Sequence, residues 1–312
     1  MAAHDLAFLN ATIFDGTGAP PFAGHLAVTG ERISAVMAGA VPPEAATVID
    51  LAGLAVAPGF IDAHTHDDRI VLDAPEMTPK VSQGVTTVVT GNCGISLAPA
   101  TFTGDPPPPM NLLGGREAYG FPSFAAYAEA LTRAAPAVNV AALVGHSALR
   151  LATMPTVDRK ATGAEIEAMR ILADEAMANG AAGFSTGLFY PTNAAADAEE
   201  VAAVASAFSA RGGVYATHMR DEFNHVLDSI EESLATARAA RIPLVISHHK
   251  CAGPANWGRT RETLPRIEAA AKDQPVNLDV YPYAAGSTNL RLDLVTGDYP
   301  IRIAWSKPYP VT

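Results

Sequence analysis

From Pro58 onward the chain alternates short apolar runs with longer stretches of helical periodicity, and few folds accommodate that rhythm. The apolar runs fall at residues 59–63, 86–90, 138–144, 181–185, 213–217, 243–247 and 276–281. Helical patterns separate them at 123–133, 162–179, 197–210, 222–240 and 259–272. Near-continuous apolar strands joined by crossover helices predict a parallel sheet covered by helices. Seven such strands exceed one nucleotide-binding half and approach the eight of a (β/α)8 barrel, with the eighth not recognisable. Thr162 with Glu165 reads as a capping box, and Gly180 stands where a helix ends. Residues 1–57 read differently, as short strands near 6–9, 25–28, 32–36 and 48–51 between turn residues. The expected division is a small β portion over 1–57 and the barrel over 58–312. The Pro-rich stretch 105–110 and the following 111–115 read as an exposed loop.

Composition supports a large core, with 49% hydrophobic and only 17% charged residues. A net charge of -11 without any basic stripe excludes a nucleic-acid surface. The two cysteines, Cys93 and Cys251, are too few for a disulfide framework and suit a reducing compartment. The start of the chain has no basic leader, and no run reaches the ~20 apolar residues of a membrane span. A soluble cytoplasmic protein with a small-molecule partner is expected.

Histidine carries the chemistry. His64 and His66 follow the first barrel strand, two residues apart and therefore on one side of the chain. His218 and His248 end two later strands. A single histidine after a strand is usually a hydrogen-bonded core or rim residue. Four of them at equivalent places on three strands point to a shared metal, because imidazole is a common ligand and barrel sites form at this end. Cys93 closes the second strand. A free cysteine is most often a small buried hydrophobe, yet this one stands where the histidines stand and a thiolate binds zinc well. Cys251 lies outside the pattern and reads as structural.

The run Pro58-Gly59-Phe60-Ile61-Asp62-Ala63-His64-Thr65-His66-Asp67-Asp68 resembles the opening motif of the amidohydrolase superfamily. Gly91-Asn92-Cys93-Gly94, Gly183-Phe184-Ser185-Thr186-Gly187-Leu188, Thr217-His218-Met219-Arg220, Ser247-His248-His249-Lys250 and Tyr281-Pro282-Tyr283 resemble its N-acyl-D-amino-acid deacylase branch. The resemblance implies a (β/α)8-type barrel with a small β-sandwich built from both chain ends, residues 1–57 being the N-terminal part. It implies that Cys93, His218 and His248 hold one tight Zn2+, and that His64 and His66 form a second, weaker site. Cysteine would then take the bridging place that a carboxylated lysine fills in hydantoinases, and residues 180–187 contain no lysine. Lys250, Tyr281, Ser287 and Arg302 would contact the substrate carboxylate, and His249 would support the ligands from behind.

The activity so implied is zinc-dependent hydrolysis of N-acyl-D-amino acids by metal-activated water. The family's proton-transferring aspartate follows an eighth strand. No catalytic residue is identified here, since neither Asp293 nor Asp298 follows a convincing strand. The chain therefore reads as C-terminally truncated and is expected to be inactive by itself. The alternatives are a non-catalytic metal-binding fragment and a related amidohydrolase acting on a cyclic amide, the latter disfavoured by the missing lysine. Gly183-Phe184-Ser185-Thr186-Gly187 also fits a serine-nucleophile pattern, but that pattern needs a helix at once and Pro191 opposes it.

Overall fold

A computed structural model describes residues 3–290 together with Leu294, Val295, Gly297 and Ile301. The chain divides into two compact units, Met1–Phe60 and Ile61–Thr312. In the first, β1 (His4–Ile13), β2 (Phe22–Thr29), β3 (Arg32–Ala38) and β4 (Ala45–Asp50) form one sheet in the order β3-β2-β1-β4, with β5 (Ala55–Val56) beside β1. Ala7, Ala11, Ile13 and Ala27 are buried, whereas Ile33, Val36, Val48 and Ile49 of the outer strands are exposed.

The second unit is built on β6 (Phe60–Asp62) and β7 (Val85–Thr90). A short two-stranded ladder follows, β8 (Ala100–Thr101) with β9 (Gly120–Phe121), and then β10 (Asn139–Gly145). The last strands are β11 (Gly183–Gly187), β12 (Val214–His218), β13 (Leu244–Ile246) and β14 (Val276–Leu278). Among the described residues the main sheet has seven strands, ordered β14-β13-β12-β11-β10-β7-β6. The pairs from β7 to β14 are all parallel. This is the curled parallel sheet of a barrel-type fold, as the alternation predicts.

Helices fill the crossovers. They are α1 (Ile70–Asp73), α2 (Thr78–Val81), α3 (Phe124–Ala134), α4 (His146–Thr153), α5 (Gly163–Ala178), α6 (Pro191–Ala194), α7 (Ala198–Ser209), α8 (Val226–Ala240) and α9 (Thr260–Ala270). The predicted capping box is present on α5. The Glu165 amide donates to Thr162 Oγ1 and the Thr162 amide donates back to Glu165 Oε2. Phe184 on β11 stacks between Phe208 of α7 and Tyr215 of β12, centring the core.

Two expectations change. The Pro-rich stretch does not end in an exposed loop, because Met110 and Leu113 lie buried in the core. Helix α8 starts at Val226 rather than Glu222. The Asp221 carboxylate takes the amides of Phe223 and His225, making a turn that keeps Glu222 out of the helix.

Behind the sheet, Arg150 and Glu200 form a fully buried ion pair, with His146 Nε2 3.2 Å from the same carboxylate. Arg150 also donates to the carbonyls of Val157 and Arg159, and Glu200 takes the Ala161 amide. Burial opposes its charge, but His146 and Arg150 bring the Glu200 carboxyl down to about 2. A carboxyl lowered from its ordinary value stabilises the fold fully above that value and ceases to do so as pH falls toward 2. Glu200→Gln should therefore cost roughly 3–5 kcal/mol near neutral pH, by leaving a buried arginine uncompensated, with the gap to wild type narrowing on acidification. Denaturant unfolding at several pH values measures it.

Candidate metal centre

Strand register brings the chemistry to one end of the sheet. Gly187 pairs with His218, Thr217 with Ile246, and Ile246 with Leu278. Pairing continues one step further, from the Ser247 amide to Thr217 O, the Asp279 amide to Ile246 O, and the Thr65 amide to Val89 O. His64, Cys93, His218, His248 and Asp279 all leave strands at that edge.

Cys93 Sγ lies 3.3 Å from His64 Nε2 and 3.4 Å from His248 Nε2. Zn–S and Zn–N bonds at tetrahedral angles separate sulfur from nitrogen by about 3.5 Å, so these donors already stand at the edges of such a polyhedron. His218 is buried, packs edge-on against His248 with centroids 4.4 Å apart, and its two ring nitrogens have no hydrogen-bond partner. Burial lowers the pKa of both His218 and His248, leaving neutral imidazoles with lone pairs to offer. One thiol, several neutral imidazoles and orphaned ring nitrogens in a buried place fit a zinc-type ion.

The sequence missed two carboxylates. Asp279 receives the His248 amide at 2.7 Å and stands 3.1 Å from His64 Nδ1. Glu222 Oε1 stands 2.9 Å from His248 Nδ1, and His218, Glu222 and His248 form a second group able to hold an ion. His64 thus turns Nε2 to the thiol and Nδ1 to a carboxylate, the arrangement that orients metal-binding imidazoles, whereas His248 turns Nε2 to the thiol and Nδ1 to Lys250 Nζ at 3.0 Å. Both acids follow strand ends, but Asp279 was counted within the last strand and Glu222 within a helix.

The expected ligands are therefore distributed. His64 joins Cys93 and His248, His218 lies on the Glu222 side, and His66 is exposed with its ring edge-on to His64, centroids 5.7 Å apart. Lys80 fixes the loop carrying this pair by reaching Asp62 and Asp67 at 2.7 and 3.0 Å. Lys250 Nζ sits 2.6 Å from Glu222 Oε2 and 5.7 Å from the centre of the Tyr281 ring. His249 points away, its Nε2 2.8 Å from Thr263 Oγ1. Ser287 is exposed, next to Thr288, whose hydroxyl meets Tyr190 OH at 2.9 Å. Arg302, Asp293 and Asp298 lie outside the described residues. Ser185 is buried, and its hydroxyl is spent on Gly91 O and the Gly94 amide, so it is no nucleophile.

The amidohydrolase family profile matches residues 47–295. The chain belongs to the amidohydrolase family. It is 53% identical over 307 residues to a D-aminoacylase of Alcaligenes xylosoxydans xylosoxydans, covering 98% of this chain and 63% of the relative. An N-acyl-D-aspartate deacylase of the same organism is 50% identical, with coverages of 99% and 62%. Among solved amidohydrolases, a D-aminoacylase crystal structure superposes with a TM-score of 0.87 at 52% identity, over 91% of this chain and 60% of that one. The N-acyl-D-glutamate deacylase of Bordetella bronchiseptica, complexed with zinc and a phosphonate inhibitor that mimics the tetrahedral intermediate, gives 0.84 at 43%, over 90% and 59%. L-Hydantoinase of Arthrobacter aurescens, 15% identical with a TM-score of 0.55 over 89% and 58%, shares the fold. The chain spans about three fifths of the length of these relatives. Among the described residues no helix is long and apolar enough to cross a membrane.

Replacing Cys93 by alanine removes the sulfur between two imidazoles and should strip most bound metal while the fold survives. Elemental analysis beside a thermal melt is the check. Full metal retention would detach the thiol from the site.

Proposed function

We propose that the chain carries the metal-binding and carboxylate-binding part of a zinc-dependent enzyme that hydrolyses N-acyl-D-amino acids to a carboxylate and a free D-amino acid. The observation that carries this reading is the Cys93 thiol between His64 Nε2 and His248 Nε2, with the Lys250 cation two residues beyond the second ligand. Relatives named D-aminoacylase, N-acyl-D-aspartate deacylase and N-acyl-D-glutamate deacylase, at 53%, 50% and 41% identity, support the substrate class.

The residues to hold the ion are Cys93, His248, His64 and His218, with His66 beside them for a weaker second ion. When bound, zinc supplies Lewis acidity toward the amide carbonyl and lowers the pKa of water toward ~7. The chain's own groups then position the reactants. Lys250 keeps its ammonium partly exposed, with Glu222 on one side and Tyr281 on the other, and is placed to take the free carboxylate of the substrate. Fixing that carboxylate fixes which face of the amide meets the metal, which is how a preference for one enantiomer arises. Tyr281 walls the same position, and Ser287 and Arg302 are the further carboxylate contacts we propose. Asp279 is committed to His64 and to the His248 amide and acts by orienting them.

In a protein that carries this chain at the relatives' full length, N-acetyl-D-amino acids should be hydrolysed and their L forms left nearly untouched. Lys250→Ala should lower kcat/KM about 10–100-fold, the worth of one charged hydrogen bond, mainly through KM. Parallel assays on both enantiomers decide it, and equal rates would remove the deacylase reading.

A further inference from the structure

His64 and His248 are each met by a hydrogen-bonding side chain at Nδ1, Asp279 for the first and Lys250 for the second. His218 has no such support. Neither of its ring nitrogens has a hydrogen-bond partner, and Glu222 Oε2, 3.6 Å from Nε2, is too distant to be one. Packing orients this buried ring instead. Phe189 stacks on it with centroids 5.1 Å and planes 20° apart, and Tyr190 leans against it at 4.9 Å. Both aromatics belong to residues 188–196, whose first amide, that of Leu188, donates to His218 O at 3.1 Å. The same stretch reaches the cysteine loop, where Asn193 Oδ1 closes the space beside Gly94.

The far end of the stretch is gripped by Arg220, two residues past His218. Nη1 donates to Ala194 O and Nη2 to Ala196 O, each at 2.8 Å. On its other edge Nε donates to Glu232 Oε2 at 2.9 Å and Nη2 to Glu232 Oε1 at 2.7 Å, both on α8. That two-pronged pairing fixes the guanidinium plane and hence the direction of the hydrogens left for the two carbonyls. We infer that Arg220 is a positioning residue of the metal centre, which holds Phe189 and Tyr190 against His218 by tying residues 194–196 to the exit of β12. The inference rests on the metal-site reading above. A ligand ring already held in place takes an ion without having to be ordered at that moment. Lysine is no substitute, because a single ammonium does not span one carboxylate and two separated carbonyls in a plane.

The full 312-residue chain is titrated with zinc against a competing chelator as wild type, R220K, R220M and R159M, with thermal melts beside each. Arg159 is the control, a similar pairing with Glu165 at the start of α5 that touches no proposed ligand. R220M should bind zinc at least about tenfold more weakly, the worth of a charged hydrogen bond, and R220K should recover little of the loss. R159M should stay within about twofold of wild type, as expected of a distant site. Cobalt(II) loaded in place of zinc should show altered visible bands in R220M, because a displaced imidazole changes the geometry at the ion. Wild-type zinc affinity and cobalt bands in R220M overturn the inference. So does full recovery in R220K, which would leave Arg220 a counter-charge to Glu232, or an equal loss in R159M, which would make the effect one of general stability. Should R220M not fold, amide exchange in the wild-type chain decides. Coupling between segment and ion is reciprocal, so zinc should slow exchange of the Leu188, Tyr190 and Ala194 amides about tenfold, and unchanged exchange overturns the inference. A wild-type chain that takes up no zinc removes the metal reading and this inference with it. Zinc uptake that the Arg220 variants leave unmoved removes this inference alone.

Discussion

Cys93 Sγ sits where almost no solvent reaches it, within 3.4 Å of two imidazole nitrogens, and most of the surrounding structure follows from keeping it there. Burial alone, the largest influence, pushes the thiol far up from its ordinary pKa, and the nearby Glu222 and Asp279 push the same way. A lone thiolate is therefore unfavourable at this place, and the surroundings suit a sulfur that shares its charge with a cation. The neutral state of His218 and His248 belongs to the same logic, since imidazolium ions would repel that cation and carry no lone pair. Asp279 meets Nδ1 of His64 on the side away from the thiol and so orients that ring.

Holding these groups costs backbone strain, and the strain falls on two of the proposed ligands. Cys93 at φ 56° and His248 at φ 37° are non-glycine residues in the left-handed region. Such residues cost of order 1–3 kcal/mol each and persist only where neighbours over-determine them. The neighbours are identifiable. Ser185 Oγ is shared by Gly91 O and the Gly94 amide, bracketing Cys93 on both sides. Asp279 grips the His248 amide at 2.7 Å. Gly91 shows how tight the bracket is, at φ 76° and so close to β10 that a Cβ would meet Leu143 O at 2.1 Å.

The barrel scaffold was legible because its signal is redundant. Seven apolar runs with helical stretches between them appear in the structure as β6, β7 and β10–β14, their bounds shifted by only a few residues. Histidine positions were equally plain, since the parallel register carries every strand end to the same edge. What sequence could not show is which groups meet beyond that edge. Glu222 belongs to its site only because Asp221 makes a turn and delays α8 to Val226, a choice between two acids that no periodicity separates. Asp279 looks like a strand residue until β14 stops at Leu278 and the carboxylate swings between His64 and His248. The pairing of Cys93 with His64, alongside His248, is likewise a property of loop paths. The burial of Met110 and Leu113 inside a proline-rich stretch depends on long-range packing that local composition conceals.

Strand β11 has no lysine and packs directly against the cysteine loop. Gly187 approaches so closely that a Cβ would meet Cys93 O at 2.2 Å, and the Gly94 position is closed by Asn193 Oδ1 and the Gly187 amide, each at 2.7 Å. Asn193 Oδ1 in turn takes that same Gly187 amide at 3.1 Å, so α6 locks the contact. A long side chain anywhere on this face of β11 would displace the Cys93 loop before it reached the centre. The close approach of Gly187 and the Asn193 contact thus make β11 the surface that holds the Cys93 loop, and its thiol, in place.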